Sequence, residues 1–105
     1  MKTTIYNKLV RDKIPQIIRD LGKEATTEIL SDDEYREMLD LKLQEETAEY
    51  QKSKNIEELA DIIEVVYAIA HARGISIKHL EKVRYDKEQR NGGFKGKVLL
   101  KEVRE

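Results

Sequence analysis

Acidic residues occupy positions where a helix is expected to present apolar side chains. The first long helical segment carries an apolar stripe at helical spacing, formed by Tyr35, Leu39, Leu43 and Tyr50. Glu46 and Glu49 fall inside this stripe, and Glu45 lies at its margin. Because a buried carboxylate is costly unless it is paired or bound to a metal, this placement predicts a charged partner for these acids.

A second pair of acids lies on the next helical segment, which is apolar on almost every side from Leu59 to Ala70. Glu58 and Asp61 share one face of this segment with the apolar residues Ile62, Val65, Ile69 and Ala72. A different edge carries residues spaced seven apart, namely Glu57, Glu64 and His71. Heptad spacing predicts that this edge faces water, whereas Glu58 and Asp61 face a neighbouring helix.

The two pairs together predict a metal site. Carboxylate oxygens without nitrogen or sulfur donors suit a hard cation, Mg²⁺ or alternatively Mn²⁺, and the cores of helix bundles hold such sites. We therefore predict that one divalent cation is bound by Glu46, Glu49, Glu58 and Asp61. The structural alternative is a buried salt-bridge network with Lys42 or an arginine of the N-terminal arm.

The segments that carry these acids predict an all-α fold, a bundle of about four helices with short extended or strand segments at the termini. Pro15 opens a first helix that stops at Gly22, and Ser31 with Glu34 forms a capping box for a helix reaching about Lys52. Asn55 caps a helix that runs to Arg73 before Gly74, and Ser76 caps a fourth ending near Asn91.

Both ends of the chain are rich in β-branched and apolar residues. Residues 3–10 predict a short strand or an extended arm, and residues 94–103 predict a terminal strand that pairs with this arm. The length of 105 residues fits one domain, residues 1–105. The helix over residues 56–73 is apolar on more sides than one neighbour covers, which predicts a homodimer or a higher homo-oligomer.

Composition excludes several classes of protein. The chain has no cysteine, so disulfides and thiolate chemistry are excluded, and its two histidines leave little for a histidine-based metal site. A net charge of −1 argues against a nucleic-acid-binding surface. No apolar run approaches a membrane span and no signal-peptide core is evident. We therefore expect a cytoplasmic protein without a membrane or nucleic-acid partner.

The charges are also segregated along the chain. Seven acids and two lysines lie between Glu45 and Glu64, whereas eight basic residues and three acids lie between Lys78 and Lys101. An acidic metal pocket beside basic segments is the arrangement that a polyphosphate substrate requires, because the cations offset the charge of its phosphates.

The same residues resemble a known family. LQEETAEY followed by EELADIIEV is similar to the E-E-x-x-E … E-x-x-D signature of the all-α nucleoside triphosphate pyrophosphohydrolases, the MazG-like superfamily. The opening YNKLVRDKIPQII and the segment EQRNGGF are similar to its small standalone members. Eight residues separate Glu49 from Glu58, fewer than in many members, which predicts a smaller pocket rim.

The resemblance implies Mg²⁺-dependent hydrolysis of a nucleoside triphosphate to monophosphate and pyrophosphate, with activated water as the nucleophile. It implies that Glu46, Glu49, Glu58 and Asp61 are metal ligands and that Glu45 binds a second metal or orients the water. The implied phosphate ligands are Lys87 and Arg90 near the end of the last helix, with Lys8 and Arg11 as weaker candidates. The alternatives are phosphoribosyl-ATP hydrolysis and a non-catalytic nucleotide-binding or helical interaction module.

Overall fold

The computed structural model describes residues 2–105, and within them it contains four α-helices and no strand. The helices are α1 (Ile14–Asp20), α2 (Asp32–Ser53), α3 (Ile56–Ala72) and α4 (Ile77–Asn91). This confirms the predicted all-α fold. None of the helices in this part of the chain is both long enough and apolar enough to cross a membrane.

Side-chain caps predicted from the sequence form at the starts of α2, α3 and α4. At α2, the Ser31 hydroxyl accepts a hydrogen bond from the backbone N–H of Glu34, and the Glu34 carboxylate accepts one from the backbone N–H of Ser31. Asn55 and Ser76 cap α3 and α4 in the same way, by accepting a backbone N–H with a side-chain oxygen. These caps satisfy N–H groups that have no partner inside the helix.

A tight turn joins α2 to α3 and makes the two helices antiparallel neighbours. Lys54 adopts the left-handed conformation, with φ of 56°, and donates its backbone N–H to the carbonyl of Tyr50. Asn55 follows immediately and caps α3. Because only two residues connect the helices, positions at equal distances from the turn lie side by side. The α2–α3 hairpin is therefore the frame on which the predicted site is built.

The single chain buries a small apolar core, formed by Leu39 of α2 and by Val65 and Ala70 of α3. Its accessible surface is 9888 Å², whereas a compact monomer of this mass exposes about 6,100 Å². Its radius of gyration is 18.5 Å, compared with about 13 Å for a compact domain of this length. The chain by itself therefore leaves an unusually large surface exposed to solvent.

The predicted pairing of the two termini as strands is wrong. Residues 3–10 and 94–103 are irregular, and no strand ladder forms within the described chain. The N-terminal arm, residues 2–13, directs two of its basic side chains to the α2–α3 hairpin instead. The tail extends from α4 with Phe94, Val98 and Leu99 almost fully exposed.

We predict that Ser31→Ala lowers the free energy of unfolding by about 1 kcal/mol, because it removes the side-chain half of the α2 capping box. Urea denaturation followed by circular dichroism measures this loss. Thr27→Ala is the control, since Thr27 is exposed just outside the helix and its side chain makes no hydrogen bond in the described chain. Equal destabilisation by both substitutions would contradict the role assigned to the cap.

Candidate functional site

Three of the predicted acids converge between α2 and α3. Glu46, Glu58 and Asp61 each direct a carboxylate oxygen to a common region, where these atoms lie within 4.8 Å of one another. Glu46 is only 9% exposed, and the other two are half-buried. We call these residues the carboxylate triad. Its members come from two helices, so the hairpin geometry, rather than one helix face, assembles the group.

Glu49 lies outside the carboxylate triad. Its side chain is exposed near the C-terminal end of α2, one turn beyond Glu46. Its charge nonetheless acts on the site, because it is one of the carboxylates whose repulsion raises the pKa of Glu58. The role of Glu49 as a fourth ligand stays a prediction.

Basic residues pair with the acids of this region, as the salt-bridge alternative anticipated. Lys42 Nζ lies 3.3 Å from Glu46 Oε1 and 3.4 Å from Glu45 Oε2. From the N-terminal arm, Arg11 Nη2 donates to Asp61 Oδ1 at 2.7 Å, and Lys8 Nζ donates to Glu45 Oε1 at 2.9 Å. We call Lys8 and Arg11 the arm cations.

The environment moves the pKa values of two glutamates in opposite directions. Partial removal of water, followed by repulsion from Asp61 and Glu46, raises the pKa of Glu58. Glu45 is different, because the hydrogen bond from Lys8 and the nearby charge of Lys42 lower its pKa. Among residues 2–105, Glu58 thus has no paired cation, whereas Glu45 pairs with both Lys8 and Lys42.

The donor set fits a hard divalent cation. A carboxylate has two oxygens that accept from several directions, and Arg11 and Lys42 each contact one oxygen of Asp61 or Glu46. Glu58 makes no salt bridge or side-chain hydrogen bond among residues 2–105. Three closely spaced carboxylates, one of them without a cation, provide the oxygen ligands that Mg²⁺ and Mn²⁺ prefer.

The remaining candidates lie apart from these contacts. The edge predicted to face water does so, since Glu57, Glu64 and His71 are all exposed. Lys87 and Arg90 are exposed on α4, and within the described residues neither forms a salt bridge. Arg90 lines a shallow depression with Val83, Asp86 and Gln89. The structure thus brings the arm cations, and not the α4 pair, into contact with acids at the site.

The sequence analysis considered Lys8 and Arg11 as phosphate ligands and an arginine of the arm as an alternative salt-bridge partner, but it did not predict which acids the arm cations contact. Arg11 and Asp61 are separated by 50 positions, and Lys8 and Glu45 by 37. No local periodicity links residues so distant in sequence. The sequence signal that could have indicated these pairs was the presence of inward acids without a cation on their own helix face, together with several basic residues in the arm.

Comparisons with known proteins give little functional information. A protein from Mycolicibacterium smegmatis, described as uncharacterized, is 55% identical to the chain over 42 residues, which span 40% of this chain and 43% of that protein. No family model matches the sequence, and no solved structure matches it. The functional argument therefore depends on the residues of the site.

We predict that Glu58 protonates at a higher pH than Glu45, which NMR titration of the side-chain carboxyl carbons measures. The low pKa of Glu45 gives stability above the unfolded-state pKa, and this is lost as the pH falls through the folded value. The raised pKa of Glu58 affects stability in the opposite direction. It favours the folded state at low pH, and this stabilisation is lost as the pH rises. Lys8→Ala should raise the pKa of Glu45 and leave the pKa of Glu58 unchanged. A higher pKa for Glu45 than for Glu58 in the unmodified protein would contradict the assignment.

Proposed function

We propose that the protein is a Mg²⁺-dependent pyrophosphohydrolase acting on a nucleoside triphosphate or a related nucleotide. The observation that carries this proposal is the carboxylate triad, a group of three converging acids drawn from two helices. The likeness of its sequence to the MazG-like signature supplies the reaction class. The products are a nucleoside monophosphate and pyrophosphate, formed when water breaks the bond between the α- and β-phosphates.

The acids of the site have separate roles in this proposal. Glu46, Glu58 and Asp61 hold the cation, and Glu49 joins them from its exposed position on α2. When bound, Mg²⁺ lowers the pKa of coordinated water and offsets charge on the phosphate oxygens. Glu45 lies next to Glu46 in the chain and keeps a low pKa. It is therefore an ionised carboxylate that accepts a hydrogen bond from the attacking water and orients it.

The phosphates that lie outside the acidic region need cations from the protein. Lys87 and Arg90 are three residues apart on α4, so they share a face, and both are exposed. We propose that they bind the phosphate chain, with lysine acting as a point charge and arginine as a two-pronged donor.

We predict that Glu46→Gln and Asp61→Asn each abolish Mg²⁺-dependent pyrophosphate release, because each replaces a charged ligand by a neutral amide of the same shape. A screen over common and damaged nucleotides, with and without Mg²⁺, identifies the substrate first. Circular dichroism establishes that the helices remain.

Glu57→Gln and Glu64→Gln are the matched controls on α3. They make the same change from acid to amide on the exposed edge of α3, the helix that carries Asp61, and should leave turnover nearly unchanged. Full Mg²⁺-dependent turnover in Glu46→Gln or Asp61→Asn would refute the site assignment.

One observation favours a second candidate, a non-catalytic nucleotide-binding module. The salt bridges of Arg11 and Lys42 already offset charge on Asp61 and Glu46, as a purely structural network would. In that case the protein binds nucleotides without releasing pyrophosphate from any of them. The nucleotide screen separates the two candidates, since binding and pyrophosphate release are measured independently.

We also propose that the working form is a homo-oligomer, most simply a dimer. The surface of the single chain exceeds that of a compact monomer by several times the roughly 800 Å² that each partner buries in a standard interface. Part of the excess lies on α3, where Ile56 is 78% and Ile63 is 51% exposed. Apolar patches of this kind mark interaction surfaces, and twofold symmetry is the commonest way to cover them.

We predict a mass of about twice 12.3 kDa, or more, in sedimentation at micromolar concentration. Ile63→Glu should shift the protein toward the monomer, because it places a charge in the proposed interface. His71→Glu adds a carboxylate on the exposed edge of the same helix and should leave the mass unchanged. A mass near 12.3 kDa for the unmodified protein would contradict the dimer.

A further inference from the structure

The N-terminal arm contacts both helices of the candidate site through the charged side chains of Lys8 and Arg11. Residues 2–13 form no helix or strand, and most of them are exposed. Lys8 reaches α2 by donating to Glu45, and Arg11 reaches α3 by donating to Asp61. The arm therefore spans the hairpin at the level of the carboxylate triad, and Leu9, between the two arm cations, is its one half-buried residue among residues 2–13.

These contacts complete a network in which charges of opposite sign alternate. Lys8 pairs with Glu45, Glu45 with Lys42, and Lys42 with Glu46. On the other helix, Arg11 pairs with Asp61, while Glu58 carries no cation among the described residues. In the absence of metal, the arm cations thus supply two of the three positive charges that offset the repulsion between the acids.

The contacts of Lys8 and Arg11 are weak enough for these side chains to change partners. The side chains of Lys8 and Arg11 are 42% and 56% exposed, and ion pairs this open to water are weak. The backbone of Arg11 is also tied to the start of α1, because its carbonyl accepts a hydrogen bond from the N–H of Ile14. A change of partner by the guanidinium does not require this backbone hydrogen bond to break.

We propose that the arm cations are exchangeable counter-ions of the site. They neutralise Asp61 and Glu45 while no divalent cation is present, and they transfer to the phosphate chain of the substrate when a divalent cation occupies the carboxylate triad. The inference rests on the proposed function and deepens it by assigning Lys8 and Arg11 to polyphosphate binding and by coupling that binding to the metal.

The physical basis is competition between like charges. A divalent cation held by Asp61 repels the guanidinium that shares the same carboxylate, so each weakens the binding of the other. A polyphosphate brought to the site by the cation offers new oxygens to the displaced side chains, and the arginine fork matches a phosphate as well as a carboxylate. The arm should therefore oppose the metal when it binds alone and favour the metal–polyphosphate complex.

Isothermal titration calorimetry of the full chain with Lys8→Ala/Arg11→Ala tests this exchange. Mn²⁺ alone should bind the double variant about two- to tenfold more tightly than the unmodified protein, because two competing surface charges are removed. Inorganic tripolyphosphate in saturating Mn²⁺ should bind about tenfold more weakly, because two charge-assisted contacts are lost. Arg11→Gln, which keeps a hydrogen-bond donor without the charge, should change both affinities in the same directions.

Lys2→Ala/Lys13→Ala is the matched control, since it removes the same net charge from the same arm at residues that form no salt bridge in the described chain. Unchanged affinities in this control support the exchange. If the Lys8→Ala/Arg11→Ala variant and the unmodified protein bind Mn²⁺ with equal affinity, the exchange is overturned and the proposed function stays intact. The same conclusion follows if the control variant changes both affinities as much as the Lys8→Ala/Arg11→Ala variant does. Failure of Mn²⁺ to bind the unmodified protein overturns the proposed metal site together with the exchange.

Discussion

A buried carboxylate at the contact between two helices is the constraint on which the site depends. Glu46 is the one charged residue that the chain buries within residues 2–105, beside the apolar contacts of α2 and α3. An isolated charge in that position costs several kcal/mol unless it is compensated. Its compensation comes partly from Lys42 on the same helix. The neighbouring acids of α3 add repulsion instead, and the arm cations offset part of this charge.

The short α2–α3 turn determines which acids come together. Glu46 lies eight residues before Lys54, and Asp61 lies six residues after Asn55, so the two are about 12 Å and 9 Å from the turn along their helices. Both positions are thus roughly two turns from the connection and lie at nearly the same level. The capped start of α3 and the left-handed Lys54 keep this register, so side chains far from the turn depend on residues within it.

The parts of the structure that could be predicted are those encoded locally. Ser31, Asn55 and Ser76 mark helix starts because each satisfies a backbone N–H a few residues away. The inward direction of Glu46, Glu58 and Asp61 followed from helical periodicity. Periodicity also put Glu49 inside the apolar stripe, but its side chain is exposed, because a residue three positions beyond Glu46 is rotated by about 60° around the helix. At the margin of a helix contact, that rotation separates a buried position from an exposed one. Pairs between the arm and the hairpin depend on tertiary folding and have no local signature.

The exposed apolar residues proposed as a dimer interface and two acids of the carboxylate triad lie on the same part of α3. This helix carries Glu58 and Asp61 close to its N-terminus, and the exposed apolar residues Ile56, Leu59 and Ile63 lie in the same two turns. A second copy that covers the apolar face would exclude water beside the acids, which strengthens their mutual repulsion and their attraction for a cation alike. It would also restrain the part of α3 that sets the spacing of the carboxylates. If both proposals hold, metal affinity and self-association would be thermodynamically linked wherever both favour the same position of α3.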